Sequence, residues 1–226
     1  KPVGSKNKLR RFKENSTFSN VIQPEREDLL LNSFPLKGKW HSKYFKNENP
    51  ITLELGCGKG EYSVHLAELN PQKNYIGIDT KGARFWRGAK TALENDLNNV
   101  AFIRAQIELI TQLFDKGEVA EIWITFPDPQ IKYKRTKHRL TCPELLNQYK
   151  QVLVPDGVMH LKTDSEFLHG YTLGILNDSA YEILYAHHNI YNNDYSPTEA
   201  IAVQTFYEKI FLAEGKPITY TQFKFK

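Results

Sequence analysis

Residues 51–67, ITLELGCGKGEYSVHLA, constrain this 226-residue chain more than any other stretch. Ile51 to Leu55 is a short apolar run with Glu54 set into it, and it reads as a buried strand. Gly56, Cys57, Gly58, Lys59 and Gly60 come next as a glycine-built turn. Glu61 to Asn70 reads as a helix, with Val64, Leu66, Ala67 and Leu69 available for its buried side. Strand, glycine turn and helix together open a doubly wound α/β fold, in which such turns receive nucleotide-like ligands. Tyr75 to Asp79 reads as a second strand ending in an acid. Asp79 lies 21 positions after Gly58, where an acid is expected to take ribose hydroxyls.

The turn also speaks to the charge of its ligand. A dinucleotide fingerprint is G-x-G-x-x-G, with a pyrophosphate on the helix N-terminus. Here the spacing is G-x-G-x-G, and Glu61 holds the place of the third glycine, where an acid repels a pyrophosphate. A cationic ligand fits better. S-adenosylmethionine carries a sulfonium and an ammonium, which Glu54 is placed to meet, while Asp79 is placed to hold its ribose. The plainer reading, an ordinary strand–turn–helix with a solvated acid at each end, leaves the spacing of Glu54 and Asp79 unexplained.

Downstream, strands and helices alternate. Phe85, Ala89, Leu93 and Leu97 stand four apart with Trp86 and Ala92 adjoining, which predicts a helix whose Trp86 belongs to the core. Val100–Ala105 is the third strand, with Gln106 at the sheet's carboxyl edge, and residues 119–126 are the fourth. TCPELLNQYKQVL is a helix with Pro143 near its start. Residues 157–164 are the fifth strand, Ser165 to Leu176 a helix, and YEILYAHHNI the sixth strand. In a regular strand His187 and His188 face opposite sides, a poor arrangement for a shared metal. Thr205 and Glu208 stand at capping-box spacing before a helix stopped by Gly215, and ITYTQFKF is the last strand. The alternation predicts one mainly parallel sheet covered on both faces over 51–226, preceded by a basic arm and packing segment over 1–50.

Composition excludes several classes. No apolar run approaches the ~20 residues of a membrane span, and the basic opening residues lack the apolar core of a signal peptide. Cys57 and Cys142 give neither a disulfide framework nor metal spacing, so the expectation is a reduced, cytoplasmic protein without a metal. Monomer and homodimer are both open. The net charge of +4 is unevenly spread. Residues 1–50 hold 11 Lys and Arg against 5 Asp and Glu, and residues 131–139 hold five cations and no acid. The rest of the chain is net acidic, so a polyanion met by those two segments is expected. The opening run KPVGSKNKLRRFKENSTF, with Lys8, Arg10 and Arg11, reads equally as a solvated mobile tail and as an arm that orders on a nucleic-acid backbone.

Four acids fall at carboxyl ends of strands, where ligands bind in such sheets: Glu54, Asp79, Asp128 and Asp164. Asp128 lies in TFPDPQ between two prolines that fix its backbone, after a strand expected beside the glycine-turn strand. A rigidly held carboxylate there is a catalytic candidate, although such a residue also caps local amides in turns. Asp164 is equally a ligand contact or the N-cap of the next helix. Directly behind Asp128 comes IKYKRTKHRL, with Lys132, Lys134, Arg135, Lys137 and Arg139. A basic loop on the catalytic edge suits a nucleic-acid substrate, whose phosphates are held while a base is presented.

LELGCGKGEYS, the FPDP turn with its basic KYKRTKHRL, LKTD and TFYE, together with the opening KNKLRRFKENSTFSNV, resemble the bacterial tRNA (guanine-N7-)-methyltransferase family over nearly the whole chain. The resemblance implies a Rossmann-like methyltransferase fold with an antiparallel final strand. It implies transfer of a methyl group from S-adenosylmethionine to the N7 nitrogen of a guanine in the variable loop of tRNA. It implies cofactor contacts at Glu54, Gly56, Gly58, Asp79, Gln106 and Asp128, and the active-site role at Asp128. Substrate contacts are implied at Lys132, Asp164, Thr205, Phe206, Tyr207 and Glu208. Two positions depart from the family pattern: Gln106 replaces its usual Asp, and Gln130 replaces the Trp that usually comes after FPDP. The rival expectations are a methyltransferase acting on an adenine amino group or a small molecule, and a non-catalytic RNA-binding module on the same fold.

Overall fold

The structure, a computed structural model, describes residues 4–226, with side chains from Asn7 onward. Lys1 and Lys6, which count toward the basic opening, lie outside the described side chains. After α1 (Gly4–Asn15), β1 (Val21–Ile22) and α2 (Arg26–Leu30), one wide helical turn at Trp40–Phe45 leads into the expected alternation. It runs β2 (Ile51–Leu55), α3 (Glu61–Leu69), β3 (Asn74–Asp79), α4 (Gly82–Glu94), β4 (Val100–Arg104), α5 (Ile110–Leu113), β5 (Val119–Thr125), α6 (Pro143–Val152), β6 (Leu153–Thr163), α7 (Glu166–Leu176), β7 (Tyr181–His187), α8 (Thr198–Ile201), α9 (Phe206–Ala213) and β8 (Thr219–Phe225).

These strands form one sheet in the order β1-β4-β3-β2-β5-β6-β8-β7. All neighbours from β1 to β6 are parallel, and β8 runs antiparallel to both β6 and β7. Every residue of β2 and β3 is buried, which is why both read as short apolar runs without alternation. β2 pairs with β3 on one side and β5 on the other, so the winding reverses there and a crevice opens beyond the carboxyl ends of these strands. The strand carrying the FPDP turn is therefore the neighbour of the glycine-turn strand, as expected.

The two faces of the sheet bury different sets of side chains. Leu53, Leu55, Ile76, Ile122 and Ile124 pack with Leu145 and Leu146 of α6 and Leu168 of α7. Tyr75, Phe102 and Trp123 pack with Val64 and Ala67 of α3 and with Phe85 and Ala89 of α4. Trp86 is buried, as the helical spacing predicts. Leu29, Phe34, Trp40 and Phe45, from the segment before the first predicted strand, belong to the first of these clusters. The fully buried Trp40 donates its indole N–H to the Leu113 carbonyl at 3.0 Å, and the Glu118 carboxylate accepts from the Gly38 and Trp40 amides. Among the described residues no helix is long and apolar enough to cross a membrane.

Three features differ from the sequence reading. Gly4–Asn15 is not a mobile tail but a helix docked on α4. Asn15, 1 % exposed, donates to the Gly82 carbonyl at 2.8 Å, and Trp86 donates its indole N–H to Glu14 at 2.6 Å. The edge strand β1, only two residues long, is too short to show a period. His187 and His188 do not take opposite faces: β7 ends at His187, Asn189 N donates back to His187 Nδ1, and the two rings stack at 4.7 Å.

Candidate active site

The glycine turn is held by backbone bonds to its neighbours. Gly56 N and Cys57 N both donate to the Ile78 carbonyl, and Gly88 N of α4 donates to the Lys59 carbonyl. Gly60 has φ +76°, and a Cβ there would lie 2.5 Å from the Phe102 ring, so only glycine lets the turn close against β4. Gly58, at φ +54°, has open space where a Cβ would stand, leaving its backbone accessible to a ligand.

Glu54 is 5 % exposed. One carboxylate oxygen accepts from both the amide and the hydroxyl of Ser63, and the other from Thr125 Oγ1 at 2.6 Å. The side chain thus fastens β2 to α3 and to the end of β5. Burial pushes its carboxyl up to about 7, against the pull of those donors, with the Asp79 charge adding to the rise. Burial, aided by the same two carboxylates, also pushes the Cys57 thiol well up, which keeps it a protonated, inert packing group. At the end of β3, Asp79 accepts from Gly58 N at 3.0 Å and from Lys81 N at 2.8 Å. Gln106 is exposed just beyond β4.

Beyond β5 the backbone turns sharply. Phe126 has φ +46°, an uncommon conformation for a bulky residue, and its amide is tied to the Lys162 carbonyl at 2.8 Å. Asp128 is exposed, and its Oδ1 accepts from Gln130 N at 2.9 Å. Gln130, itself at φ +48°, organises the basic loop behind it. Its side-chain oxygen accepts from Arg135 Nε at 3.0 Å and its carbonyl from Arg139 Nε at 3.2 Å. The basic residues 133–138 form a short 3₁₀ helix, on and beside which Lys132, Lys134, Arg135 and Lys137 are exposed. Arg139 does not join them. It is 5 % exposed, bonded to the carbonyls of Gln130 and Ile131, and its guanidinium lies over the rings of Phe167 and Tyr171. Its expected contact with the tRNA backbone is therefore withdrawn, because this cation is consumed in holding the loop. In α1, Lys8 and Arg10 are exposed, whereas Arg11 is half-buried with its guanidinium 4.9 Å from the Trp86 ring.

Two readings of the later motifs are resolved. Asp164 does not cap α7, since Ser165 does so by accepting from Leu168 N at 3.1 Å. The Thr205–Glu208 capping box is present as the spacing predicts. Glu208, however, is 0 % exposed, with Lys162 Nζ at 2.7 Å and the Tyr191 hydroxyl donating to the same oxygen. Its side chain points into a buried ion pair and away from the accessible surface that the expected substrate contact needs. The residues before it remain accessible. Phe206 N donates to Glu61 Oε2 at 3.0 Å, and Lys59 Nζ sits 4.2 Å over the Phe206 ring, so the segment lies across the glycine turn. Glu61, in the place of a third glycine, is thus the anchor of α9.

These elements enclose a cleft of about 150 Å³ lined by Glu54, Gly56, Gly58, Lys59, Glu61, Arg84, Thr125, Phe126, Thr205 and Tyr207. Ser63, Thr125, Lys162 and Arg84 were not legible as site residues, because each acquires its place only through tertiary contact. A much larger cavity of about 1060 Å³ lies at the opposite edge of the sheet, among Asp115, Gly117, Pro155 and Gly157, and contains none of the predicted residues. The topology, not cavity size, locates the site.

Comparison with known proteins identifies the family. The family described as "Putative methyltransferase" matches residues 48–221. A tRNA (guanine-N(7)-)-methyltransferase of Christiangramia forsetii is 70% identical over 224 residues, 99% of this chain and 100% of the relative. A protein of the same name from Bacteroides fragilis is 42% identical over 218 residues, 96% of this chain and 85% of the relative. Among solved structures, an antibiotic-related methyltransferase superposes with a TM-score of 0.62 at 20% identity, covering 85% of this chain and 96% of that one, a likeness of fold alone.

Proposed function

Because this chain belongs to the tRNA (guanine-N(7)-)-methyltransferase family, we infer that it methylates the N7 nitrogen of a guanine in tRNA, and we propose the residues that do so. The observation that carries the reading is the junction of two features on one sheet edge: the acid-lined glycine cleft, and the FPDP turn with its exposed cations.

The residues fit S-adenosylmethionine. Glu54 is a buried carboxylate whose ionisation is costly until a cation arrives, and a positively charged ligand in the cleft supplies one. At about 150 Å³ the cleft is smaller than the ~300 Å³ at which small-molecule sites begin. It takes the amino-acid end of the cofactor, with Arg84 toward its carboxylate, and the nucleoside lies along the open strand ends. A carboxylate has roughly four lone-pair sites. Asp79 gives two to backbone amides, which fix its direction, and keeps two for ribose hydroxyls. Gln106 accepts from the adenine amino group through its carbonyl, without charge.

When bound, the cofactor supplies an electrophilic methyl group on a sulfonium. The guanine N7 has a free lone pair and no proton, so no residue of the chain serves as general base. The chain's contribution is alignment, from Thr205, Phe206 and Tyr207 on one side and Lys132 and Asp164 on the other. Asp128 supplies a fixed negative charge for the positive charge that develops on the imidazole ring. Lys132, Lys134, Arg135 and Lys137 hold backbone phosphates, with Lys8 and Arg10 as further contacts. Reaching the nitrogen requires displacing the base from its tertiary contacts.

Labelled S-adenosylmethionine and bulk tRNA, with nucleoside analysis of the product, test the reaction. Label is expected in 7-methylguanosine. Label on an adenine amino group, or none, would overturn this reading in favour of a different methyltransferase or a binding module.

Glu54 gives the cofactor site a pH signature. Its folded carboxyl lies near 7, so below that pH a cationic cofactor must expel a proton to bind. Cofactor affinity is therefore expected to rise with pH from about 5 to 7, by at most about tenfold per unit, and to level off above. In Glu54→Gln the slope over that range disappears and binding weakens by about 1–3 kcal/mol. In the free protein the sign is reversed. A raised carboxyl favours folding fully below its unfolded value near 4.5, and that contribution is lost as pH rises to about 7. Calorimetric titration across pH reads the first effect, and an affinity slope retained in the variant would exclude Glu54 as its source.

A further inference from the structure

Beside the 3₁₀ helix Tyr133–His138 lies a shallow groove of about 520 Å³ shared with α7. Tyr133 is 92% exposed there, Ile131 66% and Phe167 43%. Apolar side chains scattered singly on a surface need no explanation, but three lining one groove do. The floor is built rather than loose. The Arg139 guanidinium lies 4.8 Å over Phe167 and 4.4 Å over Tyr171 while donating to the carbonyls of Gln130 and Ile131. Along the loop the charge is of one sign, with Lys132, Lys134, Arg135 and Lys137 exposed around Tyr133, and on the α7 side the groove carries a single acid, Glu166.

We propose that this groove is a stacking shelf for a second, unpaired base of the bound RNA, with Tyr133 and Phe167 as its faces. The inference rests on the tRNA-methylating reading above and names a contact within it. Charge complementarity selects a polyanion, and among polyanions only nucleic acid also offers flat aromatic faces. In folded RNA those faces are free only on unpaired nucleotides. The shelf is tied to the chemistry through Gln130, which donates its amide to Asp128 and accepts from Arg135 and Arg139. At most about 3.6 Å of chain per residue separates Asp128 from Tyr133, so the stacked base lies within a few nucleotides of the target guanine.

The test compares binding of fluorescent tRNA by the full chain and four variants, Tyr133→Leu, Tyr133→Phe, Phe167→Leu and Lys134→Gln, over a range of salt. Stacking on aromatics contributes about 1–3 kcal/mol per base, so Tyr133→Leu and Phe167→Leu should each weaken binding by about 5- to 160-fold. Tyr133→Phe should stay near wild type. The salt dependence should be unchanged in all three, because no cation is lost. Lys134→Gln should lower both affinity and the log–log salt slope, the slope by roughly 0.7–0.9. Tyr133→Leu binding within twofold of wild type, equal loss in Tyr133→Phe, or failure of wild type to bind tRNA would each overturn the shelf. Wild type that binds tRNA with this pattern yet makes no 7-methylguanosine would overturn the reaction instead and leave the shelf standing.

Discussion

Glu208→Gln is expected to lower folding stability by about 3–5 kcal/mol, the scale of removing one partner from a buried ion pair. Lys162 and Glu208 are both 0 % exposed and 2.7 Å apart. Lys162 Nζ also donates to the Val203 carbonyl at 3.0 Å and to the Tyr191 hydroxyl. Four segments meet at this pair: β6, the turn at Ile190–Asn192 through Tyr191, the loop before α9 through Val203, and α9 through its capping box. The Lys162 backbone carbonyl in turn anchors the Phe126 amide at the FPDP turn. Without the carboxylate the ammonium is left uncompensated in the core. Burial already pulls the Lys162 amine below its usual range, with Glu208 opposing that pull, so the variant keeps the desolvation and loses the opposition. Between the depressed folded value and the unfolded one the folded chain binds fewer protons, so stability rises with pH over that window. The gap between wild type and variant should narrow from pH 7 toward pH 10. Urea denaturation across that range reads both effects, with tRNA methylation measured alongside. A substrate contact predicts the converse, lost methylation at an unchanged denaturation midpoint, and that result would restore Glu208 to the substrate surface.

This pair also shows where sequence reading stops. The Thr205–Glu208 spacing announced the capping box, because both partners lie in one helical turn. Nothing local announced that the same carboxylate reaches a lysine on β6, 46 positions earlier in the chain. Arg139 repeats the lesson. In the run KYKRTKHRL it is one cation among five, and only the rings of Phe167 and Tyr171, brought in by α7, remove it from solvent. The N-terminal run left tail and arm equally open for the same reason, since its anchors Asn15 and Glu14 meet Gly82 and Trp86 of α4, far along the chain. The centre of the fold was legible because its signals are short-range. Buried parallel strands appear as apolar runs, the turn as glycines, and Asp79 at the spacing that brings it to Gly58 N.

Asp128→Asn should reduce methyl transfer by about 10²–10³-fold while leaving fold and tRNA affinity near wild type. The factor is the usual scale for removing one preorganised electrostatic group. The turn should survive because it does not depend on the charge. Pro127 and Pro129 fix the flanking backbone, and the Phe126 amide stays tied to Lys162. The asparagine side-chain oxygen still accepts from Gln130 N, the bond the carboxylate makes at 2.9 Å. The loss is the negative charge facing the guanine as its ring becomes cationic. An electrostatic role and a general-base role separate by their pH dependence. A base that must take a proton makes the rate climb with pH, whereas a fixed charge that takes none leaves it flat. The flat profile is expected, because the attacking nitrogen has no proton to give. Single-turnover rates of wild type and Asp128→Asn at saturating cofactor and tRNA, measured from about pH 6 to 8.5, make the comparison. A variant within about threefold of wild type, about 0.65 kcal/mol of barrier, would reduce Asp128 to the residue that caps Gln130 and move the search for the charge-stabilising group to Asp164.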